Sequence, residues 1–309
     1  MIRFLKHSEI DKDRWNQALQ KSTNATVFAD FDLLSISSPG WCALVEDDYR
    51  SIMPLPVRIK LGIHYIYTPF FSNRLGIFSA EVIDAQKVRD FFMAIPVCFR
   101  QIDLILNREN PTDLIEESVI TMISHLLDLH QDYDSIAEGY AQNTKRNIKT
   151  AQKFNLRYGE NADIRSIIRL FKKNRGKQKY VHYKNKDYLT LLRIAKRAQW
   201  KGCLDVPAVY DGDNLIAGAL FIKGRNRTWF WFSGRDNRQA NKRAMFFLID
   251  EYIRHHALQD VWLDFNGSMN ENIARMYKGF GGKAYNYKMI YHTRDFYLGK
   301  LIRLYKLIR

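Results

Sequence analysis

Cysteine is scarce: Cys42, Cys98 and Cys203 are scattered through 309 residues and form no CxxC or paired-ligand spacing. That rules out a disulfide framework and leaves the three as buried small hydrophobes of a reducing compartment. Long apolar runs are missing as well. Met1-Ile2-Arg3-Phe4-Leu5-Lys6-His7 turns polar before any core of signal-peptide length, and no stretch reaches the ~18 apolar residues that span a bilayer. A cytoplasmic chain without a transmembrane segment is expected. The eight histidines show no HExxH or other metal spacing, and there is no GxSxG elbow, Walker loop or dinucleotide fingerprint. No metal is expected. Acid is in the minority, 33 Asp and Glu against 48 Lys and Arg, for a net charge of +15.

What is present is globular composition, with 46% hydrophobic and 14% aromatic residues, in a length that suits two domains. The positive charge is clustered. Residues 172–201 hold eleven Lys and Arg against the single acid Asp187. Such a patch concentrates anions, whether nucleotide, tRNA, phospholipid or nucleotide-linked sugar, although solvated helix faces have the same composition.

The chain also repeats itself at an offset of 165 residues. Ala43–Tyr49 falls on Ala208–Asn214, Ile52–Val57 on Ala217–Ile222 and Tyr65–Tyr67 on Phe230–Phe232, so strand, acidic turn, strand, gap and aromatic strand recur in order. A helix and a further strand follow in each half, Ile102–Leu106 and Val261–Phe265, which predicts mixed sheets with crossover helices and an α/β class. Asp134 is expected to cap a helix running to about Lys153 that bridges the halves. Helical spacing predicts further helices over 163–174, 187–200 and 241–257. The division expected is 1–133, 134–292 and a basic amphipathic helix over 293–309. In that tail Leu301, Ile302, Leu304, Tyr305 and Ile308 oppose Lys300, Arg303 and Lys306, a pattern suited either to an anionic membrane surface or to packing on its own domain.

Three segments carry a family likeness. Asn143-Thr144-Lys145-Arg146-Asn147-Ile148-Lys149-Thr150-Ala151-Gln152-Lys153 is similar to an R-x-x-I-x-x-A-x-K helix, Leu263-Asp264-Phe265-Asn266-Gly267-Ser268 to a D-F-x-G-S strand end, and Tyr277-Lys278-Gly279-Phe280-Gly281-Gly282 to a helix ending F-K-x-x-F-G-G. The chain thus resembles the FemAB-like branch of the GNAT acyltransferase superfamily. The resemblance implies tandem GNAT-like domains, each a mixed, mainly antiparallel sheet flanked by helices. It also implies transfer of an acyl or aminoacyl group from acyl-CoA or aminoacyl-tRNA to an amine, as on a cell-envelope precursor.

In GNAT proteins the donor's pyrophosphate lies on a glycine-rich turn that opens the helix after the meander. Here that turn reads Arg235-Asp236-Asn237-Arg238-Gln239-Ala240-Asn241-Lys242-Arg243, with no glycine after Gly234. Without glycine the backbone cannot approach a pyrophosphate as closely. Side chains of Arg235, Arg238, Asn241, Lys242 and Arg243 are the candidate donor contacts in its place. Asp264, at the end of an apolar strand, is a candidate base or amine-orienting group, or a structural hydrogen-bond acceptor for the next turn. Tyr277 occupies the place of a GNAT proton donor, or serves the core. Lys145, Arg146, Lys149, Asn266 and Ser268 are candidate acceptor contacts. The rival to an enzyme is an inactive tandem GNAT that binds an anionic ligand such as tRNA, a nucleotide-sugar or a lipid head group. The sequence does not set the oligomeric state.

Overall fold

The computed structural model describes residues 1–294 apart from 61, 73, 116, 117, 179, 180 and 268. Ser268, Lys179 and the tail helix expected over 293–309, past residue 294, therefore lie outside the described residues. Two compact units form: residues 1–122 with the segment from Asn286 onward, and Ile123–Tyr285.

The first unit runs β1 (Ile2–Leu5), α1 (Lys12–Lys21), α2 (Phe31–Ser37), β2 (Cys42–Glu46), β3 (Ser51–Leu55), β4 (Val57–Lys60), β5 (Ile63–Tyr67), β6 (Phe78–Ser79), α3 (Ala85–Met93), β7 (Phe99–Ile105) and the start of β8 (Ser118–Asp128). The second continues from β8 through α4 (Tyr133–Glu138), α5 (Gln142–Ala151), β9 (Leu156–Gly159), α6 (Ile164–Lys173), α7 (Asn185–Trp200), β10 (Leu204–Asp205), β11 (Ala208–Asp211), β12 (Asn214–Lys223), β13 (Arg227–Arg235), α8 (Ala244–His256), β14 (Trp262–Asp264), α9 (Glu271–Gly279) and the start of β15 (Lys283–Thr293). Short side-chain acceptors start most of these helices. Asp11, Asp30, Asp84, Asp132, Asp163 and Asn270 each accept a hydrogen bond from an N–H of the turn they open.

The order expected from the 165-residue offset is present in both units. In the second, β11, β12 and β13 form an antiparallel meander, and β14 joins β13 in parallel after α8. In the first, β2 pairs antiparallel with β3, β4 with β5, and β7 joins β5 in parallel after α3. Each unit thus has a mixed, mainly antiparallel sheet flanked by helices, as expected.

Three expectations are corrected. The helix expected from Asp134 to Lys153 is two helices, α4 and α5, separated at Gly139-Tyr140-Ala141; Asp132, not Asp134, caps the first, by accepting from Ser135 N–H. Both helices lie wholly within the second unit. The unit boundary falls at 122/123 rather than 133/134, because β14 pairs with the later half of β8 at Leu126–Asp128. The chain from Asn286 belongs to the first unit, because β15 pairs with β7 from Met289 to Thr293. Each unit is therefore completed by a strand whose other end belongs to its neighbour in sequence.

One feature of the second unit sets the depth of its α6 helix. Gly218 of β12 and Gly234 of β13 are direct cross-strand partners. A Cβ on Gly218 would meet Ile167 Cγ1 at 2.6 Å, and one on Gly234 would meet Ile167 O at 2.7 Å and Phe171 N at 2.8 Å. The pair is a notch that lets α6 lie against the strand backbone.

Candidate active site

The site is built where β13 and β14 part. Their parallel register runs Arg227↔Trp262, Thr228↔Leu263 and Trp229↔Asp264. β13 then continues to Arg235, while the chain after β14 turns away through Asn266 and Gly267, both left-handed at φ 61° and 77°. A glycine suits the second of these positions, and Asn is among the few other residues that tolerate the first.

Asp264, the last paired residue, is fully buried. Its Oδ1 accepts from Ser124 Oγ at 2.7 Å and from the Asn266 N–H at 2.8 Å. Its Oδ2 accepts from the Tyr285 hydroxyl and lies 3.8 Å from Arg227 Nη1. A buried carboxylate needs such partners, and here they join β8, β13, β14 and β15. Asn266 thus meets Asp264 through its backbone N–H.

Tyr277, on α9, stacks on Phe265 with ring centroids 4.6 Å apart and meets Phe230 edge-on at 6.0 Å. Burial pushes its hydroxyl far above the usual phenol range, with the Arg175 charge pulling the other way. Among the described residues no group hydrogen-bonds to that hydroxyl. His125 of β8 faces the same ring at 6.3 Å, and burial holds its imidazole below the usual range, so it is neutral at pH 7.

The mouth of α8 differs from the other helix starts. Its N-cap is Arg243, in the left-handed region at φ 52° and with no side-chain cap. A 3-10 turn, Asn237–Lys242, precedes it. The cations of this turn are held by carboxylates of the same unit: Arg238 grips Asp236 through Nε and Nη2, the shortest contact being 2.7 Å, and Lys242 pairs with Asp211. The guanidinium of Arg238 holds the Asp236 carboxyl below the usual range. Arg235 Nε donates to Asn237 Oδ1 at 3.3 Å, Arg243 Nη1 donates to Ala240 O at 3.4 Å, and Asn241 is exposed. Arg235, Asp236, Arg243 and Phe246 line a cavity of about 20 Å³, room for one or two waters. Asn174, at the end of α6, accepts from the Asn237 N–H at 3.1 Å, so the depth of α6 in its glycine notch also fixes this turn.

Lys145, Arg146 and Lys149 sit on α5. Lys145 Nζ donates to Glu138 O at 2.9 Å, Arg146 Nη2 donates to Asn143 Oδ1 at 2.8 Å, and Lys149 is exposed. None of the three hydrogen-bonds or ion-pairs with Asp264, Tyr277 or the 3-10 turn. The buried face of α5 explains its motif. Gly279 leaves room for Thr144 to approach α9, and Ala141 N–H donates to Gly279 O at 2.9 Å, so two of the family-like segments are one helix crossing. Sequence reasoning missed Ser124, His125, Arg227 and Tyr285, which reach the site from other strands, and Asp211 and Asp236 as counter-ions. Only the Asp236-x-Arg238 spacing carried a local signal.

Among the described residues no group of His, Cys, Asp and Glu is placed to hold a metal, and no helix is long and apolar enough to cross a membrane.

Residues 140–289 match the model of the acetyltransferase (GNAT) domain family. The matched stretch covers most of the second unit. Over nearly its whole length the chain shares its fold with solved structures. FemX has a TM-score of 0.65 at 11% identity, with 97% of this chain and 98% of that one covered. A C-terminal domain of a putative lysylphosphatidylglycerol synthetase from Agrobacterium fabrum gives 0.59 at 9%, covering 96% of each. A tandem GNAT protein from the clavulanic acid biosynthesis pathway gives 0.54 at 8%, covering 96% and 99%. At these identities the likeness is one of fold. No curated protein matches the chain in sequence.

Proposed function

We propose that the protein is an N-acyltransferase that moves an aminoacyl group from aminoacyl-tRNA to an amine, acyl-CoA being the donor its helix mouth suits less well. The observation that carries this reading is the 3-10 turn before α8. Where a pyrophosphate would need bare backbone N–H groups, the turn presents side chains already paired, Arg238 with Asp236 and Lys242 with Asp211. A larger polyanion can exchange those pairs for phosphates at the surface without entering a cavity of about 20 Å³. The name of one protein with this fold, a putative lysylphosphatidylglycerol synthetase, describes an aminoacylated product.

The chemistry follows from ester aminolysis. The acceptor nitrogen bonds to the donor carbonyl carbon, the ester C–O bond breaks, the nitrogen gives its proton to solvent, and the departing ribose oxygen takes a proton. Tyr277 is assigned that second transfer. A phenol is protonated at pH 7, and Tyr277 can pass its proton to the ribose oxygen as the C–O bond breaks and then recover one from solvent. Asp264, with both oxygens engaged, is assigned the positioning of the strand end rather than proton abstraction.

The same ion pairs favour a second reading, an inactive tandem GNAT that only binds an anion. Calorimetric titration with acetyl-CoA, uncharged tRNA and charged tRNA, together with release of labelled amino acid to an added amine, separates the two. Salt-dependent tRNA binding, no heat with acetyl-CoA and label on the amine are expected. Binding without label transfer selects the inactive module, and stoichiometric acetyl-CoA binding with acetyl transfer reverses the donor assignment.

A further inference from the structure

The helix α7 carries a surface that the transfer reading does not use. Its buried face is Tyr188, Leu191, Ile194, Ala195 and Ala198. At about 100° per residue, Lys186, Leu189, Arg193, Lys196, Arg197 and Trp200 fall on the opposite side within a sector of about 100°. Four of these six are cations and none is acidic. The other two are apolar and left in water, Leu189 at 56% exposure and Trp200 at 75%. They are separated along the axis by about 16 Å. Arg197 lies over the Trp200 ring at 4.2 Å, and the one acid of the helix, Asp187, is turned to its own start, where it accepts from the Lys184 N–H at 2.6 Å.

Charge alone fits any polyanion, but the apolar pair narrows the choice. A nucleic-acid backbone offers Leu189 nothing to bury against. A lipid surface offers phosphates for the cations and, a few ångströms deeper, an apolar layer for leucine and indole. Trp is the residue type that settles at that boundary. We propose that α7 is a peripheral docking surface for a bilayer rich in anionic phospholipid, with Leu189 and Trp200 entering the boundary between head groups and acyl chains and Lys186, Arg193, Lys196 and Arg197 meeting the phosphates. This goes beyond the transfer reading and does not depend on it.

The test is co-sedimentation of the full-length protein with vesicles of phosphatidylglycerol and phosphatidylcholine in equal parts, with phosphatidylcholine alone as the control. Binding to the mixed vesicles only is expected, weakening as salt is raised. Leu189→Ser with Trp200→Ser is expected to lower the partition about tenfold or more, and Arg193→Glu with Lys196→Glu to abolish it. All four positions are exposed, and circular dichroism checks that both variants fold. Trp200→Phe adds a measurement that does not rely on loss of binding. It is expected to keep the partition and to remove the part of the tryptophan emission that brominated lipid quenches. The proposal is overturned if the wild-type protein ignores the mixed vesicles, or if both double variants bind them as it does. Quenching unchanged in Trp200→Phe also overturns it. Binding of unfractionated tRNA in place of vesicles, lost in Arg193→Glu with Lys196→Glu, reassigns the face to nucleic acid and ends the lipid proposal.

Discussion

In the second unit β12 runs unbroken for ten residues between β11 and β13, whereas its counterpart in the first is cut at Pro56 into β3 and β4. Those two pieces pair into different sheets, β3 with β2 and β6, and β4 with β5. Pro56 has no N–H to give a ladder, which is why the strand changes partner there. The cross-strand pair Gly218 and Gly234 falls, at the same 165-residue offset, on Met53 and Pro69. Hence the notch that seats α6 belongs to the second unit alone, and with it the link from Asn174 to the turn before α8. The units share an order of elements and differ in how closely a helix lies on the sheet. A GNAT domain is matched only over 140–289, the half that has the notch.

The largest effect that can break this comparison is expected at the strand ends. Each parallel pairing finishes on an aspartate, Trp229↔Asp264 in the second unit and Tyr67↔Asp103 in the first. Asp264→Ala leaves Ser124, Tyr285 and the Asn266 N–H without their acceptor and Arg227 without its nearby charge, at a cost of about 3–5 kcal/mol. Asp103 is only partly buried, so Asp103→Ala is expected to cost less, since water can replace what is removed. Urea unfolding of both variants decides. Equal losses would mean that Asp264 holds no special place.

Next comes the notch. In Gly234→Ala the new methyl meets backbone atoms of α6, which cannot rotate aside, and about 2 kcal/mol of destabilisation is expected. Gly40, in the first unit, has open space around its missing Cβ but a φ of 75°, so Gly40→Ala is expected to cost about 1 kcal/mol from backbone strain alone. Thermal melts of the two variants rank them, and a reversed order removes the packing argument.

An acid titration probes the second unit by another route. Burial alone would raise the Asp205 carboxyl, but hydrogen bonds from His256, Lys223 and Tyr252 outweigh it and bring it down to about 2. A depressed carboxyl stabilises the fold above its unfolded pKa, and that contribution disappears as pH falls toward the folded value. Asp205→Asn is therefore expected to lose about 2 kcal/mol near pH 6 and to converge with the wild type near pH 2. A constant gap across that window would show that the shift is absent.

Most elements were legible because their signals are local. The offset of 165 located the meander strands, and apolar spacing gave α6, α7 and α8 to within a few residues of their ends. The exchanged strands were not legible. Nothing in Ser118–Asp128 says that β14 will pair with its later half, nor does Lys283–Thr293 announce β7, since both choices are made by distant partners. The break between α4 and α5 had a local mark in Gly139, but the continuous helical charge pattern across it pointed the other way. At the site, the absence of glycine from 235–243 was visible. That Asp211 would occupy Lys242 was not, because the two lie in different strands and turns of the sequence.

The smallest structural change carries the sharpest functional question. Tyr277→Phe keeps the ring that stacks on Phe265 and removes only a hydroxyl that no described residue holds. Stability is expected to stay within about 0.5 kcal/mol of wild type. Turnover in the aminoacyl-transfer assay is expected to fall about 100-fold, the usual weight of a positioned proton donor, while affinity for charged tRNA stays the same. Because the ring, the packing and the donor site are all retained, a drop in turnover at constant affinity isolates the proton. Undiminished turnover would make Tyr277 a core residue like Phe280, and the donor of the proton would have to be sought elsewhere around the gap between β13 and β14.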